Sequence, residues 1–98
     1  MSYQLNINSD NVLCASGRID LTNVKEACAK GRELIDTLAS VRVDLSGIEQ
    51  SDTSGLAMLV DWLRKAKSQH KDIVFTKMPK LMLDLGRVYG LDSILPVK

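Results

Sequence analysis

The chain has 98 residues, 45% of them hydrophobic and 26% charged, with 13 basic and 12 acidic side chains and a formal net charge of +1. This composition is typical of a single globular domain spanning residues 1–98, and the balanced charge and 4% aromatic content argue against nucleic-acid binding. No apolar run is long enough to cross a bilayer and residues 1–4 begin no signal peptide, so we expect a cytoplasmic protein without direct membrane insertion.

The N-terminal half shows strand patterns followed by a helix pattern. Apolar and polar residues alternate over 3–8, and a second apolar segment over 12–16 ends at Gly17, which together predict an opening hairpin. From residue 22 or 23 onward the apolar residues recur at helical spacing as far as Leu38. Asn23 and Glu26 fit an N-capping pair for this helix.

The C-terminal half continues the alternation of strands and helices. A short strand is predicted over 41–45, a helix over the middle fifties to sixties, a strand over 73–76, and a last helix with Gly90 as its C-cap. The apolar residues of the last helix are Leu81, Met82, Leu85, Val88 and Tyr89. The order β-β-α-β-α-β-α predicts a small α/β domain with a mixed sheet and helices packed mainly on one face.

A polar segment separates the third strand from the second helix and contains Asp52, Thr53, Ser54 and Gly55. Thr53 is predicted to be the N-cap of a helix that starts at Ser54, and Asp52 places negative charge near the positive end of the helix dipole. Gly55 would allow another backbone to approach closely, and Ser51 is expected to be a turn or cap hydroxyl. An exposed helix start can also be a docking surface, so the capping and docking interpretations are compatible. The candidate partner-binding residues are Ser51, Asp52, Thr53, Ser54 and Gly55.

The sequence provides no assembly of catalytic groups. The only histidine, His70, lies in a polar loop beyond the second helix, ~20 Å from Thr53 at 1.5 Å rise per residue. There is no phosphate-binding Gly-Lys-Ser/Thr segment, no Gly-x-Ser-x-Gly elbow, and no cluster of metal ligands. We therefore predict a protein that is not an enzyme and that needs no cofactor or metal.

Three further residues are candidates for an interface. Met58 and Trp62 lie one turn apart, off the main apolar stripe of the second helix, and are either peripheral core or an exposed apolar pair that a partner covers. Asp20 is either a cap for the first helix or a rim residue of the docking surface. For Asp20 we favour the structural role.

Three segments of the sequence resemble the signature of the STAS domain family, which includes bacterial anti-sigma-factor antagonists. They are Gly-Arg-Ile-Asp at 17–20, Val-Asp-Leu-Ser-Gly-Ile at 43–48 and Ser-Asp-Thr-Ser-Gly-Leu-Ala at 51–57. The resemblance covers essentially the whole chain and implies a sheet with helices on one side and the polar segment at the start of the second helix. It also implies that Thr53 occupies the position that a partner kinase phosphorylates in the antagonists.

Within this family, the chain is similar to the cytoplasmic STAS subunit of a phospholipid-transport ABC complex of Gram-negative bacteria. Its compact length, the threonine at position 53 and the ending over 88–96 carry this similarity. It implies a non-catalytic subunit, peripheral to the inner membrane, that binds the ATPase subunit and supports transporter assembly, transporter activity and outer-membrane lipid asymmetry. The alternative is an anti-sigma-factor antagonist whose partner is an anti-sigma factor kinase and which is switched by phosphorylation at Thr53.

Overall fold

The computed structural model describes residues 2–98, which form four strands and three helices. The strands are β1 Tyr3–Ile7, β2 Leu13–Ile19, β3 Val41–Ser51 and β4 Ile73–Thr76, and the helices are α1 Val24–Asp36, α2 Thr53–Ser68 and α3 Lys80–Val88. The predicted α/β class and the order β-β-α-β-α-β-α are confirmed.

The four strands form one mixed sheet in the order β1-β2-β3-β4. β1 and β2 are antiparallel, as predicted for the opening hairpin, whereas β2, β3 and β4 are parallel to one another. Helices α1 and α2 connect the parallel strands, as crossover connections require. All three parallel strands therefore point their carboxyl ends towards the same side of the domain.

Only one face of the sheet is covered by helices. Leu13, Val43 and Phe75 are neighbours across β2, β3 and β4 and are each fully buried. The next row along the same strands is polar or half-exposed and consists of Cys14, Asp44 and Thr76. Because side chains alternate between the faces of a sheet, the first row lies in the core and the second lies on the open face.

Two strands extend beyond their predicted ends. β2 continues past Gly17, which adopts a left-handed φ of +91°, and the pairing with β3 shifts register directly after it. A side chain at Gly17 would overlap the carbonyl oxygen of Ser2. β3 continues as far as Ser51 and pairs along the extended part of β2. The predicted strand over 41–45 was too short because Gly47 resembles a strand terminator in sequence, although here it stays in the sheet.

Asn23 occupies the N-cap position of α1, as predicted, but the predicted side-chain capping by Asn23 and Glu26 is wrong, since both side chains bond elsewhere. The Asn23 amide accepts from the Asp20 backbone N–H at 3.0 Å and donates to the Arg18 carbonyl at 2.8 Å, which fastens the end of β2 to the start of α1. Glu26 instead accepts a hydrogen bond from the Tyr3 hydroxyl at 2.5 Å. Both side chains therefore connect separate elements rather than capping the helix.

Helix α3 ends at Val88 with Tyr89 as its C-cap, and Gly90, the predicted C-cap, is the next residue. Gly90 has a left-handed φ of +71°, and the Leu91 backbone N–H donates to the Gly86 carbonyl at 2.7 Å, which completes a Schellman motif. Beyond it, the chain returns to the sheet, where the Phe75 backbone N–H donates to the Pro96 carbonyl at 2.9 Å. The C-terminal segment thereby covers the outer edge of β4.

Candidate functional site

The candidate site lies where β2 and β3 end side by side. The two strands are parallel and Ile19 pairs with Ser51, so Asp20 and Asp52 follow directly at the same edge of the sheet. Both carboxylates line one surface cleft of about 330 Å³. Its other lining residues are Arg18, Ile19, Gln50, Ser51 and Leu81. The parallel pairing thus brings together two acidic residues that are 32 positions apart in the sequence.

Asp52, and not Thr53, caps helix α2. Asp52 has an extended backbone, and its carboxylate accepts from the Ser54 backbone N–H at 2.8 Å while its carbonyl accepts from the Gly55 N–H at 3.1 Å. The helix therefore begins at Thr53, and the predicted cap was one residue too late. A carboxylate is at least as good an N-cap as a hydroxyl and also carries a charge that suits the helix dipole.

Thr53, which does not cap the helix, lies at the protein surface. Thr53 is exposed in the first turn of α2, whereas Ser54 is only 7% exposed. Ser51 is half-buried and donates its hydroxyl to the Asp52 carbonyl at 2.9 Å. Of the three hydroxyl side chains of this segment, that of Thr53 is thus the most exposed.

Gly55 allows α2 to start close against the end of β3. A Cβ atom at this position would overlap the Ser51 hydroxyl and lie 3.4 Å from the Met82 methyl group of α3. The first turn of α2 is therefore packed between β3 and α3. The close approach at Gly55 is made by the side chains of Ser51 and Met82, and not by another backbone as predicted.

Asp20 shapes the loop before α1 and also lines the cleft. Its carboxylate accepts from the Thr22 backbone N–H at 2.9 Å and from the Thr22 hydroxyl. These two hydrogen bonds hold the pKa of Asp20 below its usual value. Its side chain does not cap α1, because the helix begins later, at Val24, whose N–H donates to the Asp20 carbonyl at 2.9 Å.

Met58 and Trp62 are both fully buried, and the interpretation of them as an exposed apolar pair is wrong. The Trp62 indole N–H donates to the Cys28 carbonyl at 3.3 Å, across the contact between α2 and α1. Helix α2 packs against the sheet on one side and against α1 on another, so its buried surface is wider than one stripe. These residues belong to the core and not to a docking surface.

The exposed apolar residues near the cleft are different ones. Leu21, 83% exposed, follows Asp20, and Leu81, 67% exposed, lines the cleft from the side of α3. Sequence reasoning gave Leu21 no role, because it lies in a loop without periodicity. It placed Leu81 among the apolar residues of the last helix without distinguishing it from buried Met82.

The polar groups at this end of the sheet are of several kinds. Two carboxylates and one guanidinium line the cleft, and the exposed Thr53 follows Asp52 in the chain. His70 is exposed beyond the opposite end of α2. Among residues 2–98, His, Cys, Asp and Glu form no group of three that could hold a metal ion, and no helix is long and apolar enough to span a membrane.

The family described as "Mlab, STAS domain" matches residues 4–96. A chain of the Acinetobacter MlaFEDB complex in an ATP-bound conformation is 30% identical, with a TM-score of 0.83 over 97% of this chain and 99% of that chain. No curated protein matches this chain in sequence.

Two anti-sigma-factor antagonists share the fold at lower identity. The antagonist from Mycobacterium paratuberculosis is 18% identical, with a TM-score of 0.79 over 98% of this chain and 85% of that chain. The phosphorylated form of the Bacillus cell fate determinant SpoIIAA is 15% identical, with a TM-score of 0.69 over 98% and 90%. The chain therefore belongs to the MlaB-type STAS domain family, and STAS domains are in general non-catalytic regulatory and interaction domains.

Proposed function

We propose that this chain is a non-catalytic subunit of a phospholipid-transport ABC complex and that it binds the ATPase subunit on the cytoplasmic side of the inner membrane. In this role it supports assembly and activity of the transporter, and thereby the lipid asymmetry of the outer membrane. The observation that carries the proposal is the 30% identity to a chain of the MlaFEDB complex, of which this chain covers 99%. The two antagonists are only 18% and 15% identical and are covered to 85% and 90%.

The surface around Thr53 is the proposed contact with the ATPase subunit. Thr53 and the cleft beside it combine an exposed hydroxyl, the carboxylates of Asp20 and Asp52, and exposed Leu81. A partner that fits closely around the neutral Thr53 hydroxyl would bind more weakly if this position carried a negative charge, because that charge would be buried without a counterion. The same property would make Thr53 a switch if it were phosphorylated.

The test is binding of Thr53 variants to the purified ABC-type ATPase subunit encoded in the same genome. We expect Thr53→Glu to fold normally, since a carboxylate suits a helix N-terminus, and to lose binding by about 2–5 kcal/mol. Thr53→Ser keeps the hydroxyl and is expected to bind like wild type. Ser9→Glu, in the exposed turn of the β1–β2 hairpin at the opposite edge of the sheet, is the matched control. Wild-type binding by the Thr53→Glu variant would show that Thr53 lies outside the interface.

A second candidate function is that of an anti-sigma-factor antagonist. The observation that favours it is the exposed threonine at the start of α2, in a fold shared with the phosphorylated form of SpoIIAA. The purified chain would be incubated with ATP and an anti-sigma factor kinase from the same genome. Phosphate located on Thr53 by mass spectrometry, together with no binding to the ATPase subunit, would support this function over the first.

A further inference from the structure

The two edges of the sheet differ in how their backbone groups are paired. At the β4 edge the C-terminal segment returns, and the Phe75 N–H donates to the Pro96 carbonyl at 2.9 Å while the Lys98 N–H donates to the Phe75 carbonyl at 2.8 Å. At the other edge, β1 has β2 as its only strand neighbour within residues 2–98. The outer side of β1 is therefore an open edge, which is a template for pairing with another strand.

Hydrogen bonds at the two ends of the hairpin show which backbone groups lie on the outer side of β1. The Arg18 N–H donates to the Ser2 carbonyl at 2.7 Å, and the Asn8 N–H donates to the Val12 carbonyl at 3.0 Å. In an antiparallel ladder such hydrogen-bonded pairs alternate with pairs that are not bonded to each other. The even-numbered residues of β1 are thus bonded to β2. The backbone N–H and carbonyl groups that point outward belong to Tyr3, Leu5 and Ile7.

The sequence of β1 lacks the features that usually prevent pairing at an edge. Residues 3–7 include no charged side chain and no proline, and their register with β2 is continuous, without a bulge. The exposed side chains of the strand, Gln4 and Asn6, are both neutral amides. Nothing in the strand itself therefore opposes the approach of a second strand.

The strand is also complementary to itself. A twofold axis perpendicular to the sheet at Leu5 would pair two copies of β1 antiparallel, with Tyr3 opposite Ile7 and Gln4 opposite Asn6. The outward N–H and carbonyl groups of each copy would then bond to those of the other. The amides of Gln4 and Asn6 can donate to and accept from one another, and the helices of both copies would remain on the same face.

The helix above this edge adds one charge of each sign. Glu26 of α1 accepts a hydrogen bond from the Tyr3 hydroxyl at 2.5 Å, and the Lys30 Nζ lies 5.9 Å from the centre of the Tyr3 ring. Glu26 and Lys30 are both exposed. A second copy would therefore meet a carboxylate and an ammonium group, and not a surface of a single sign that repels its own copy.

We propose that the outer edge of β1 is a self-association surface, at which two copies of this chain join their four-stranded sheets into one continuous sheet. An unrelated extended segment could use the same backbone groups, but the match of Gln4 to Asn6 and of Tyr3 to Ile7 is specific to a second copy. Because β1 has only five residues, the contact is small and the dimer forms reversibly at high protein concentration. The proposal is independent of the proposed function, since it uses no residue of the surface around Thr53.

The experiment measures the molecular mass of the purified chain by sedimentation equilibrium, from about 10 µM to about 1 mM, with a thermal melt of each variant. Gln4→Lys/Asn6→Lys would place lysine opposite lysine in both amide pairs of the dimer. Gln4→Lys/Asn6→Glu would place lysine opposite glutamate instead. Ser46→Lys/Ser93→Lys is the matched control, because it adds the same two charges at exposed positions in the interior strand β3 and in the C-terminal segment.

We expect the mass of wild type and of the control to rise with concentration towards that of two chains. Gln4→Lys/Asn6→Lys should raise the Kd of the dimer at least about tenfold, because like charges directly opposite each other destabilise a strand pair. Gln4→Lys/Asn6→Glu should dimerise at least as well as wild type. A wild-type chain that stays monomeric over the whole range, or a double-lysine variant that folds and dimerises like wild type, would overturn the proposal.

Hydrogen exchange followed by NMR at about 1 mM tests the location of the contact. The outward Leu5 N–H should exchange several-fold more slowly in wild type than in the folded Gln4→Lys/Asn6→Lys variant. The N–H groups at positions 4 and 6 are already bonded to β2 and should differ much less. A wild-type dimer in which the Leu5 N–H exchanges as fast as in the double-lysine variant would show that the two copies meet elsewhere and that the proposal is wrong.

Discussion

The indole ring of Trp62 lies directly against the backbone of Gly31, and a methyl group at position 31 would overlap three atoms of the ring. One turn earlier in α1, the Cys28 carbonyl accepts the indole N–H at 3.3 Å. A glycine on α1 and the largest side chain of α2 thus form one complementary contact between the two helices that cover the sheet. Thr53 is in the first turn of α2, so this contact also fixes the helix that presents the candidate site.

Gly31→Ala is predicted to destabilise the protein. In an isolated helix the same change stabilises by about 1 kcal/mol, but here the added methyl group would displace the Trp62 ring, and overpacking of this kind typically costs about 1–3 kcal/mol. Chemical denaturation measures the change in the free energy of unfolding. Combining Gly31→Ala with Trp62→Phe should cost less than the sum of the two single changes, because the smaller ring leaves room for the methyl group.

Gly86→Ala is the matched control for this prediction. Gly86 is also a buried helical glycine, but a Cβ atom there would meet only the Leu56 side chain, at an ordinary contact distance of 3.9 Å. We expect this variant to be as stable as wild type or more stable, by up to about 1 kcal/mol. Equal losses at Gly31 and Gly86 would indicate a general effect of helical glycines and not the contact with Trp62.

Trp62→Ala is predicted to cost about 3–5 kcal/mol of stability, as truncation of a fully buried aromatic side chain does. Thermal melts of the free chain would show this loss without any partner. A variant that melted near the wild-type temperature would contradict the placement of Trp62 in the core. If the destabilised Trp62→Ala variant also bound a partner less well, that loss of binding would follow from unfolding. It would not be evidence that Trp62 contacts the partner.

The fold was largely predictable because its elements have clear periodicity, but contacts between elements were not. The pattern of α2 suggested one buried stripe, and Met58 and Trp62 lie outside it. They are buried because α1 packs beside α2 and offers Gly31 as a notch for the indole ring. That complementarity involves two helices, so the periodicity of either helix alone does not reveal it.

The position of the polar segment at the start of α2 was predictable, and its local geometry was less so. Asp52 and Thr53 are both good N-caps, and only the backbone of Asp52 decides which of them caps α2. The approach of Asp20 to Asp52 follows from the parallel pairing of β2 and β3, which the β-α-β order implies. The exposure of Leu81 was not predictable from its neighbours in α3. Lys80 is charged and Met82 is apolar, so Leu81 could have faced either solvent or the core.

Substitutions at Asp52 and Thr53 test which of the two residues caps α2. Asp52→Ala removes the hydrogen bond to the Ser54 N–H and is predicted to cost about 1 kcal/mol, whereas Asp52→Asn retains an acceptor and should cost much less. Thr53→Ala should change stability by less than about 0.5 kcal/mol, as at other surface positions. Denaturant titrations of the three variants measure the free energy of unfolding and so test this order. A larger loss of stability for Thr53→Ala than for Asp52→Ala would show that Thr53 is the cap.

The hydrogen bond between Tyr3 and Glu26 predicts how stability changes at alkaline pH. Burial of the phenol, and then the hydrogen bond to the Glu26 carboxylate, raise the pKa of Tyr3 from its ordinary value of 10.0 to about 12. The folded state thus holds the phenol proton more tightly than the unfolded state does. The resulting stabilisation is fully present below pH 10 and is lost as the pH rises from about 10 to about 12.

Tyr3→Phe lacks this proton, so the stability difference between wild type and variant should be constant below pH 10 and shrink above it. Urea titrations at several pH values measure the difference, with Tyr89→Phe at an exposed tyrosine as the control. Parallel alkaline losses in wild type and Tyr3→Phe would mean that the Tyr3 proton is not linked to folding.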